Sequence, residues 1–277
     1  MNTKLIMIEG IPGSGKSTFA QKIEEFYTKH NLKANLYNEG SFHPADLAWN
    51  AYIPVEKLDS ILAPYQSFHG EIDKHTHIED DYAIVSYTQV KTENESFFKD
   101  MESREVYDNR VPFEVFDSLH RKRWSYFCQQ AEIKDELTIF ECAFLQNHIS
   151  ELMLIQLADI DMMKQHFNSL IQTVIPLSPI LVYLSQANVR ETIERVAAQR
   201  FSEHGSWIDG FTHYMENTPY GKLHQIHGFD DVVKCLEKRK EAELEIIKAL
   251  PIHTIVLENK NYDWDTLWKN LEDKLPL

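Results

Sequence analysis

Short, continuous apolar runs recur along the chain, and amphipathic stretches separate them. The apolar runs are Leu5–Ile8, Ala34–Tyr37, Leu137–Phe140, Ile180–Leu184 and Thr254–Leu257. Helical spacing of apolar residues follows the first run to near His30 and recurs over 148–157, 161–174, 189–200, 230–249 and 264–273. Buried parallel strands read as unbroken apolar runs that alternate with helices. The pattern therefore predicts an α/β fold of three layers, with a mostly parallel sheet covered by helices on both faces.

Two regions interrupt this alternation within what we read as a single domain, residues 1–277. Residues 41–130 are too long for one crossover and contain four prolines and many aromatics, which predicts a mostly helical insertion with an extended segment at Tyr82–Val90. Residues 201–228 are rich in glycine, histidine and aromatics and poor in aliphatics. That composition favours a mobile lid, with hinges at its glycines, over a part of the core.

A glycine-rich string lies between the first apolar run and the first helical stretch. Residues 10–17 read Gly-Ile-Pro-Gly-Ser-Gly-Lys-Ser, the pattern G-x-x-x-x-G-K-S. Such a loop turns backbone N–H groups and a helix N-terminus toward one anion, while its lysine reaches phosphates and its hydroxyl binds Mg²⁺. The predicted phosphate-binding residues are Gly10, Pro12, Gly13, Ser14, Gly15, Lys16, Ser17 and Thr18.

Acidic residues follow the second and third apolar runs, where parallel strands would open onto a ligand. Glu39, in Asn38-Glu39-Gly40, is either a general base for an acceptor hydroxyl or part of an ordinary surface turn. Glu141 ends a buried strand, which is costly unless it serves a cation or a partner. It is predicted to bind Mg²⁺ with Ser17 and to border the substrate, the alternative being a helix cap or an ion pair.

Cations in two helical stretches are candidates for the same site. Arg123 lies in a basic run among aromatics, which indicates either an acceptor contact or a solvated helix face. Arg195 and Arg200 precede the lid and are predicted to stabilise charge on a transferred phosphate. Their alternative role is helix-surface pairing with nearby glutamates such as Glu191.

Charge and cysteine content narrow the function classes. Lys and Arg number 28 against 43 Asp and Glu, so the net charge is −15. Such a chain repels nucleic acid and anionic membranes, and neither is an expected partner. Three scattered cysteines and a first apolar run of four residues predict a cytoplasmic protein with reduced thiols. Two groups of histidines fit no familiar metal spacing, and we expect them at the surface or against a ligand: His69, His75 and His77, and in the lid His204, His213, His224 and His227.

Taken together, these stretches resemble the nucleoside and nucleotide kinase branch of the phosphate-loop fold, as in thymidylate and deoxynucleoside kinases. The resemblance is carried by residues 10–17, by Asn38-Glu39-Gly40, by Phe140-Glu141-Cys142 and by Glu191–Arg200. It implies that Glu39 is the base and that the loop around Asn259, Leu257–Lys260, packs on adenine. The sequence departs from that family's pattern at three points. Cys142 stands where the family has an arginine after the glutamate, a Glu-Pro pair is absent, and the insertion at 41–130 is long.

The sequence thus predicts an ATP- and Mg²⁺-dependent kinase of a small molecule, with Lys16, Glu39, Arg195 and Arg200 as the catalytic residues. The expected acceptor is a nucleoside or nucleotide, with a sugar or an antibiotic as alternatives. The sequence leaves open whether the protein forms a homodimer. The rival is a nucleotide-hydrolysing switch or a sensor. A guanine-specific switch is disfavoured because Asn259-Lys260-Asn261-Tyr262 lacks the aspartate of Asn-Lys-x-Asp.

Overall fold

A parallel sheet of five strands forms the centre of the molecule. The structure is a computed structural model that describes residues 3–40, 42–202, 205–259 and 263–277. Its strands are β1 (Leu5–Glu9), β2 (Ala34–Tyr37), β3 (Ala51–Pro54), β4 (Thr76–Glu79), β5 (Tyr82–Val85), β6 (Leu137–Glu141), β7 (Ile180–Ser185), β8 (Phe201–Ser202), β9 (Gly205–Ser206) and β10 (His253–Glu258). The central order is β10-β7-β1-β6-β2, all parallel. These are the five apolar runs of the sequence, so the predicted α/β fold is confirmed.

Helices cover both faces of this sheet. The α-helices in the described ranges are α1 (Lys16–Lys29), α2 (Val55–Leu62), α3 (His69–Lys74), α4 (Glu95–Glu102), α5 (Phe113–Glu132), α6 (Gln146–Ile149), α7 (Ile160–Gln172), α8 (Val189–Gln199), α9 (Trp207–Asn217), α10 (Pro219–His224), α11 (Gly228–Ala249) and α12 (Trp264–Glu272). Among them, no helix has the length and apolar character needed to cross a membrane.

Alternate residues of the central strands enter two separate cores. Leu5 and Met7 of β1 pack into a core that also contains side chains of α5, α7 and α11. Ile6 and Ile8 point to the other face and pack with side chains of α1 and α12. Successive strand residues point to opposite faces, so a sheet buried on both sides needs apolar residues at every position. This requirement explains the unbroken apolar runs.

The insertion contains a second, antiparallel sheet that the sequence did not predict. Its order is β3-β5-β4, and β4 and β5 form a hairpin whose turn contains Asp80 at φ 49°. The predicted extended segment Tyr82–Val90 is a strand only to Val85, and a 3₁₀ turn follows at Tyr87–Gln89. The mostly helical prediction was therefore incomplete. Strand β4 buries little, with Ile78 52% exposed, so it carries no apolar run to detect.

The helix predicted over 148–157 has two parts. Helix α6 covers Gln146–Ile149, and the chain continues as a π-helical segment over Ser150–Ile155. Wider turns of this kind often occur at functional sites, and Ser150 and Glu151 do border the large cleft described below.

The lid segment, residues 201–228, is mainly helical and partly a component of the core. Met215 and Ile226 are buried in the core beside α11, and Trp207 packs against it, so the expectation that this segment lies outside the core is wrong for these residues. Gly221 is no hinge: a Cβ there would lie 1.9 Å from the Met215 carbonyl oxygen, so glycine permits close packing of α10 on α9. Motion of the segment stays a prediction, and His204 lies outside the described residues.

Candidate active site

A cleft of about 1160 Å³ lies between the glycine loop, the insertion and the lid segment. The glycine-loop side contributes Pro12, Gly13, Gly15, Lys16, Ser17 and Thr18. The insertion contributes Trp49, Glu102, Glu105, Tyr107 and Asp108, and the lid side contributes Arg195, Arg200, Trp207, Phe211 and Tyr214. Predicted residues of the glycine loop and of α8 thus border the same cavity as residues of the insertion and the lid segment that were not predicted.

The glycine loop is held in shape by its neighbours. At Gly13, φ is 78°, and a Cβ would lie 2.0 Å from Cγ2 of Val196, so a side chain there is excluded. Behind the loop, the Ser14 carbonyl oxygen accepts hydrogen bonds from Gln186 Nε2 (3.3 Å) and Asn259 Nδ2 (3.0 Å). Gly10 and Ser14 therefore shape the loop without bordering the cleft.

Asn259 is placed differently from its predicted role. It is buried, its backbone N–H donates to Ser185 at 2.9 Å, and its side chain supports the loop at Ser14. It does not border the cleft, so the structure assigns it to positioning the loop and not to direct nucleotide contact. The rest of the predicted adenine loop continues through Lys260, which lies outside the described residues.

Lys16, Ser17 and Glu141 meet at the mouth of the glycine loop. Lys16 Nζ donates to the Ile11 carbonyl oxygen at 3.1 Å, and the Ser17 hydroxyl donates to Glu141 Oε1 at 2.6 Å. Glu141 ends β6 and is buried. A hydroxyl and a buried carboxylate in contact beside a phosphate loop form an oxygen donor set of the kind that Mg²⁺ uses.

Glu39 lies in the cleft beside this pair and also forms part of a turn. Its backbone N–H faces Glu141 Oε2 at 3.4 Å, and its Oε1 accepts from Gln146 Nε2 (3.0 Å) and Trp49 Nε1 (3.3 Å). Gly40 follows with φ 81°. The turn and the cleft position are therefore compatible, and the turn directs the carboxylate into the cleft.

The arginines of α8 divide between the cleft and the surface. Arg190 pairs with Asp230 at 2.6 Å and lies 3.7 Å from Glu194, one of the two glutamates of the ion-pair alternative. Arg195 Nη2 contacts Glu191 Oε1 at 3.1 Å, yet Arg195 borders the cleft. The Arg200 guanidinium lies 5.4 Å from the Trp207 ring centroid and also borders the cleft. Both cleft arginines are thus within the lid side of the cavity, where they were predicted.

Arg123 does not reach the cleft. It is buried, and its guanidinium contacts the Glu79 carboxylate and donates to the His43 carbonyl oxygen at 2.8 Å. Burial lowers the pKa of Arg123, although Glu79 opposes that effect. Neither alternative from the sequence describes Arg123. It joins α5 to β4 and to the chain at His43, and it does not line the cleft.

Carboxylates line the end of the cleft farthest from the glycine loop. Glu102, Glu105 and Asp108 all border the cavity, and Arg110 lies 3.2 to 3.4 Å from each of their carboxylates. The Tyr87 hydroxyl donates to Glu105 at 2.5 Å, and burial raises the pKa of Glu105 to about 7. This end is therefore acidic, with one carboxyl that titrates near neutrality.

Glu151 extends the acidic wall from the π-helical segment. It accepts backbone N–H groups of Asp108 (2.6 Å) and Asn109 (3.2 Å), and burial raises its pKa. Tyr214 from α9 donates to Asp108 at 3.2 Å. These contacts join the insertion, the π-helical segment and the lid side around one end of the cavity.

Arg239 is a cleft residue that sequence reasoning missed. Its Nε donates to Glu243 Oε1 at 2.8 Å, while Nη1 and Nη2 each donate at 3.0 Å, to Ser150 Oγ and to the Gln146 carbonyl oxygen. In the sequence it stands between Lys238 and Lys240 and reads as part of a solvated helix face. The sequence pattern did contain an indication of burial. Leu236 lies three residues before Arg239 and Ile246 seven residues after it, and these apolar residues share the buried side of α11 with Arg239.

Comparisons with known proteins add little to this geometry. No family model and no curated protein match the chain. Among solved structures, the chain is similar to a deoxyadenosine kinase from M. mycoides, determined with its products dCMP and a flexible dCDP bound. The identity is 14%, the match covers 98% of this chain and 97% of that chain, and the TM-score is 0.35. A likeness this weak carries no argument, so the fold rests on the strand order and the site on its own contacts.

Proposed function

We propose that the protein is a small-molecule kinase that transfers a phosphate from ATP, with Mg²⁺, to an acceptor hydroxyl. The observation that carries this proposal is the meeting of Lys16, the Ser17–Glu141 pair and Glu39 at one end of a single cleft. The other end is a second compartment walled by the insertion. A switch or sensor protein needs a nucleotide site but has no need of such a compartment.

The residues present fit a nucleoside triphosphate and its metal. The glycine loop and the N-terminus of α1, which begins at Lys16, provide backbone N–H groups that can cradle phosphates. Ser17 and Glu141 would hold Mg²⁺, which neutralises charge on phosphate oxygens when it is bound. Lys16 would supply a further positive charge, since the ammonium group now rests on a carbonyl oxygen and needs only to turn toward the ligand.

The acidic end of the cleft limits the classes of acceptor that can bind there. A nucleoside monophosphate would bring about two negative charges toward Glu102, Glu105, Asp108 and Glu151, which like-charge repulsion opposes. Arg239 is already paired with Glu243, and Arg110 is already shared by Glu102, Glu105 and Asp108. We therefore favour a nucleoside over a nucleotide. The same carboxylates support a second candidate, an amine-bearing hydroxyl compound such as an amino sugar, because they would pair with its ammonium groups.

ATP consumption with and without acceptors separates these possibilities. The assay should compare nucleosides, nucleoside monophosphates and amino sugars at equal concentration, with loss of ATP and the phosphorylated product both followed. We expect one acceptor class to raise ATP consumption and to appear as product. A rate that is the same with every acceptor would instead support the switch or the sensor.

Glu39→Gln should lower turnover by about two orders of magnitude and leave ATP affinity nearly unchanged. A general base acts mainly in the transition state, so its loss affects kcat more than ground-state binding. The measurement is kcat, the KM for the acceptor and the Kd for ATP. Glu25→Gln is the matched control, because Glu25 lies on the exposed face of α1. If Glu39→Gln keeps the wild-type turnover, Asn38-Glu39-Gly40 is only a turn.

Closure of the lid segment should accompany binding of both substrates. Gly210, Phe211 and Tyr214 border the cleft, so movement of α9 would exclude water from the reacting groups and bring Arg195 and Arg200 closer to the phosphates. Amide hydrogen exchange over residues 205–228 should slow when ATP and the acceptor are present together. Unchanged exchange at saturating ligand would remove the lid from the proposal and leave the two arginines as surface residues.

A further inference from the structure

Three buried side chains from distant parts of the sequence converge behind the acceptor side of the cleft. They are Asp46, His120 of α5 and His148 of α6, and their ligand atoms all lie within 4.8 Å of one another. His120 and His148 are fully buried. No sequence motif indicates this group, because the spacing of its three residues matches no local metal motif.

The hydrogen bonds fix which nitrogen of each ring carries a proton. His120 Nδ1 lies 2.9 Å from the Phe116 carbonyl oxygen, which can only accept, so Nδ1 is the donor. In the neutral ring, Nε2 of His120 is then a lone pair. Among the residues that the structure describes, this Nε2 has no hydrogen-bond partner.

A chain of hydrogen bonds through His166 likewise leaves a lone pair on Nε2 of His148. His166 Nδ1 donates to the Asp117 carboxylate at 2.8 Å, so Nε2 of neutral His166 accepts. His148 Nδ1, at 2.9 Å from that nitrogen, must be the donor, and Nε2 of His148 is left as a lone pair. Within the described part of the chain, Nε2 of His148 also has no hydrogen-bond partner.

We propose that Asp46, His120 and His148 bind a structural zinc ion. Two imidazole lone pairs and a carboxylate facing one point are a donor set typical of zinc, and a buried site of this kind is costly without a cation. The distance from His120 Nε2 to Asp46 Oδ1 is 3.4 Å, and from His148 Nε2 it is 3.9 Å. Ligands at about 2.0–2.1 Å from a tetrahedral zinc ion lie about 3.4 Å apart, so small shifts would complete the site.

The surroundings of the three ligands are those of a metal site. Asp46 accepts from the Tyr107 hydroxyl at 2.5 Å and from Asn147 Nδ2 at 2.7 Å, while the Phe116 carbonyl and the His166–Asp117 pair orient the two rings. Such outer hydrogen bonds hold ligand rings and carboxylates in place at zinc sites. Solvent or the Tyr107 hydroxyl would take the fourth position.

A proton on His120 is the alternative to a zinc ion, and it would satisfy fewer of the three groups. If His120 were protonated, it would form an ion pair with Asp46 and satisfy one Nε2. The lone pair of His148 Nε2 would still face Asp46 without a donor. A divalent cation engages all three groups at once.

The ion would join two parts of the insertion, the segment before β3 and α5, to α6 of the main domain. Asp46 precedes β3, His120 is in α5 and His148 is in α6. Tyr107 and Asn147 contact Asp46 and also border the cleft, so zinc would fix the wall of the acceptor compartment.

Metal analysis of the full-length protein tests the proposal. Protein stripped with a chelator and dialysed against equimolar ZnCl₂ should retain about one zinc per chain, and cobalt in its place should show the intense visible absorption of tetrahedral coordination. Zinc at about 100-fold above its Kd should raise Tm by about 5 to 10 °C over the stripped protein. Magnesium at the same concentration should not.

Two variants locate the ion. His120→Gln should lower zinc affinity at least about tenfold, and it keeps a polar side chain in case a larger change prevents folding. The double variant His75→Gln/His77→Gln, on the edge of the second sheet, should bind zinc normally. Less than about 0.1 zinc per chain in the wild type, or stoichiometric zinc that His120→Gln does not weaken, would overturn the site. Kinase activity does not enter these readouts, so the result is independent of the proposed function.

Discussion

Lys16→Ala should reduce turnover by about two orders of magnitude or more, with the fold intact. Lys16 is the cation of the glycine loop, and its ammonium group lies at the mouth of the cleft beside Ser17 and Glu141. A positive charge placed where negative charge shifts during phosphoryl transfer lowers the barrier without reorganisation, and loss of one such donor commonly costs a factor of about 10² to 10³. The measurement is kcat for the acceptor that raises ATP consumption, with circular dichroism and Tm recorded for the same protein.

Lys29→Ala is the matched control for this prediction. Lys29 ends the same helix, and its side chain is 75% exposed and 3.7 Å from the carboxylate of Glu25. Its removal should leave turnover unchanged. If Lys16→Ala retains turnover within a factor of two of the wild type, the loop does not serve phosphoryl transfer and the kinase proposal fails.

The central sheet and the donor end of the cleft could be predicted because their signals are local. Strands buried on both faces require unbroken apolar runs, and all five runs are strands of that sheet. The glycine loop depends on residues adjacent in sequence, so its motif specifies its geometry. The contact between Ser17 and Glu141 followed from one rule, that the carboxyl ends of parallel strands open onto the ligand.

The insertion and the acceptor end could not be predicted in the same way. Strands β3 and β4 are four residues long, and β4 lies at a sheet edge with few buried residues, so neither gives a periodic signal. Arg123 and Arg239 sit in basic runs typical of solvated helices, yet both are buried. Arg123 meets Glu79 of β4, while Arg239 pairs with Glu243 of its own helix and also donates to Ser150 and to the Gln146 carbonyl oxygen. Pairing partners 44 residues apart, as for Arg123 and Glu79, are invisible to periodicity. Tertiary contacts decide these positions.

The buried ion pair of Arg239 and Glu243 should be the most sensitive polar contact for stability. Glu243 is fully buried, and it is held by Arg239 Nε at 2.8 Å and by the Tyr183 hydroxyl at 2.6 Å. Pairing with Glu243 raises the pKa of Arg239, although burial alone would lower it. Removal of one partner from such a pair leaves a buried charge without compensation, which typically costs about 3–5 kcal/mol.

We therefore expect Arg239→Met to lower the free energy of unfolding by about 3–5 kcal/mol, and the double variant Arg239→Met/Glu243→Gln to recover at least half of that loss. The glutamine removes the unpaired charge while its amide oxygen can still accept from Tyr183. Urea unfolding with equal m-values across the variants gives the comparison. Arg190→Met, which breaks an exposed pair with Asp230, should change stability little. A loss below about 1 kcal/mol for Arg239→Met would show that the unpaired charge of Glu243 costs little. A large loss that the double variant does not recover would show that the lost stability comes from packing of the arginine side chain.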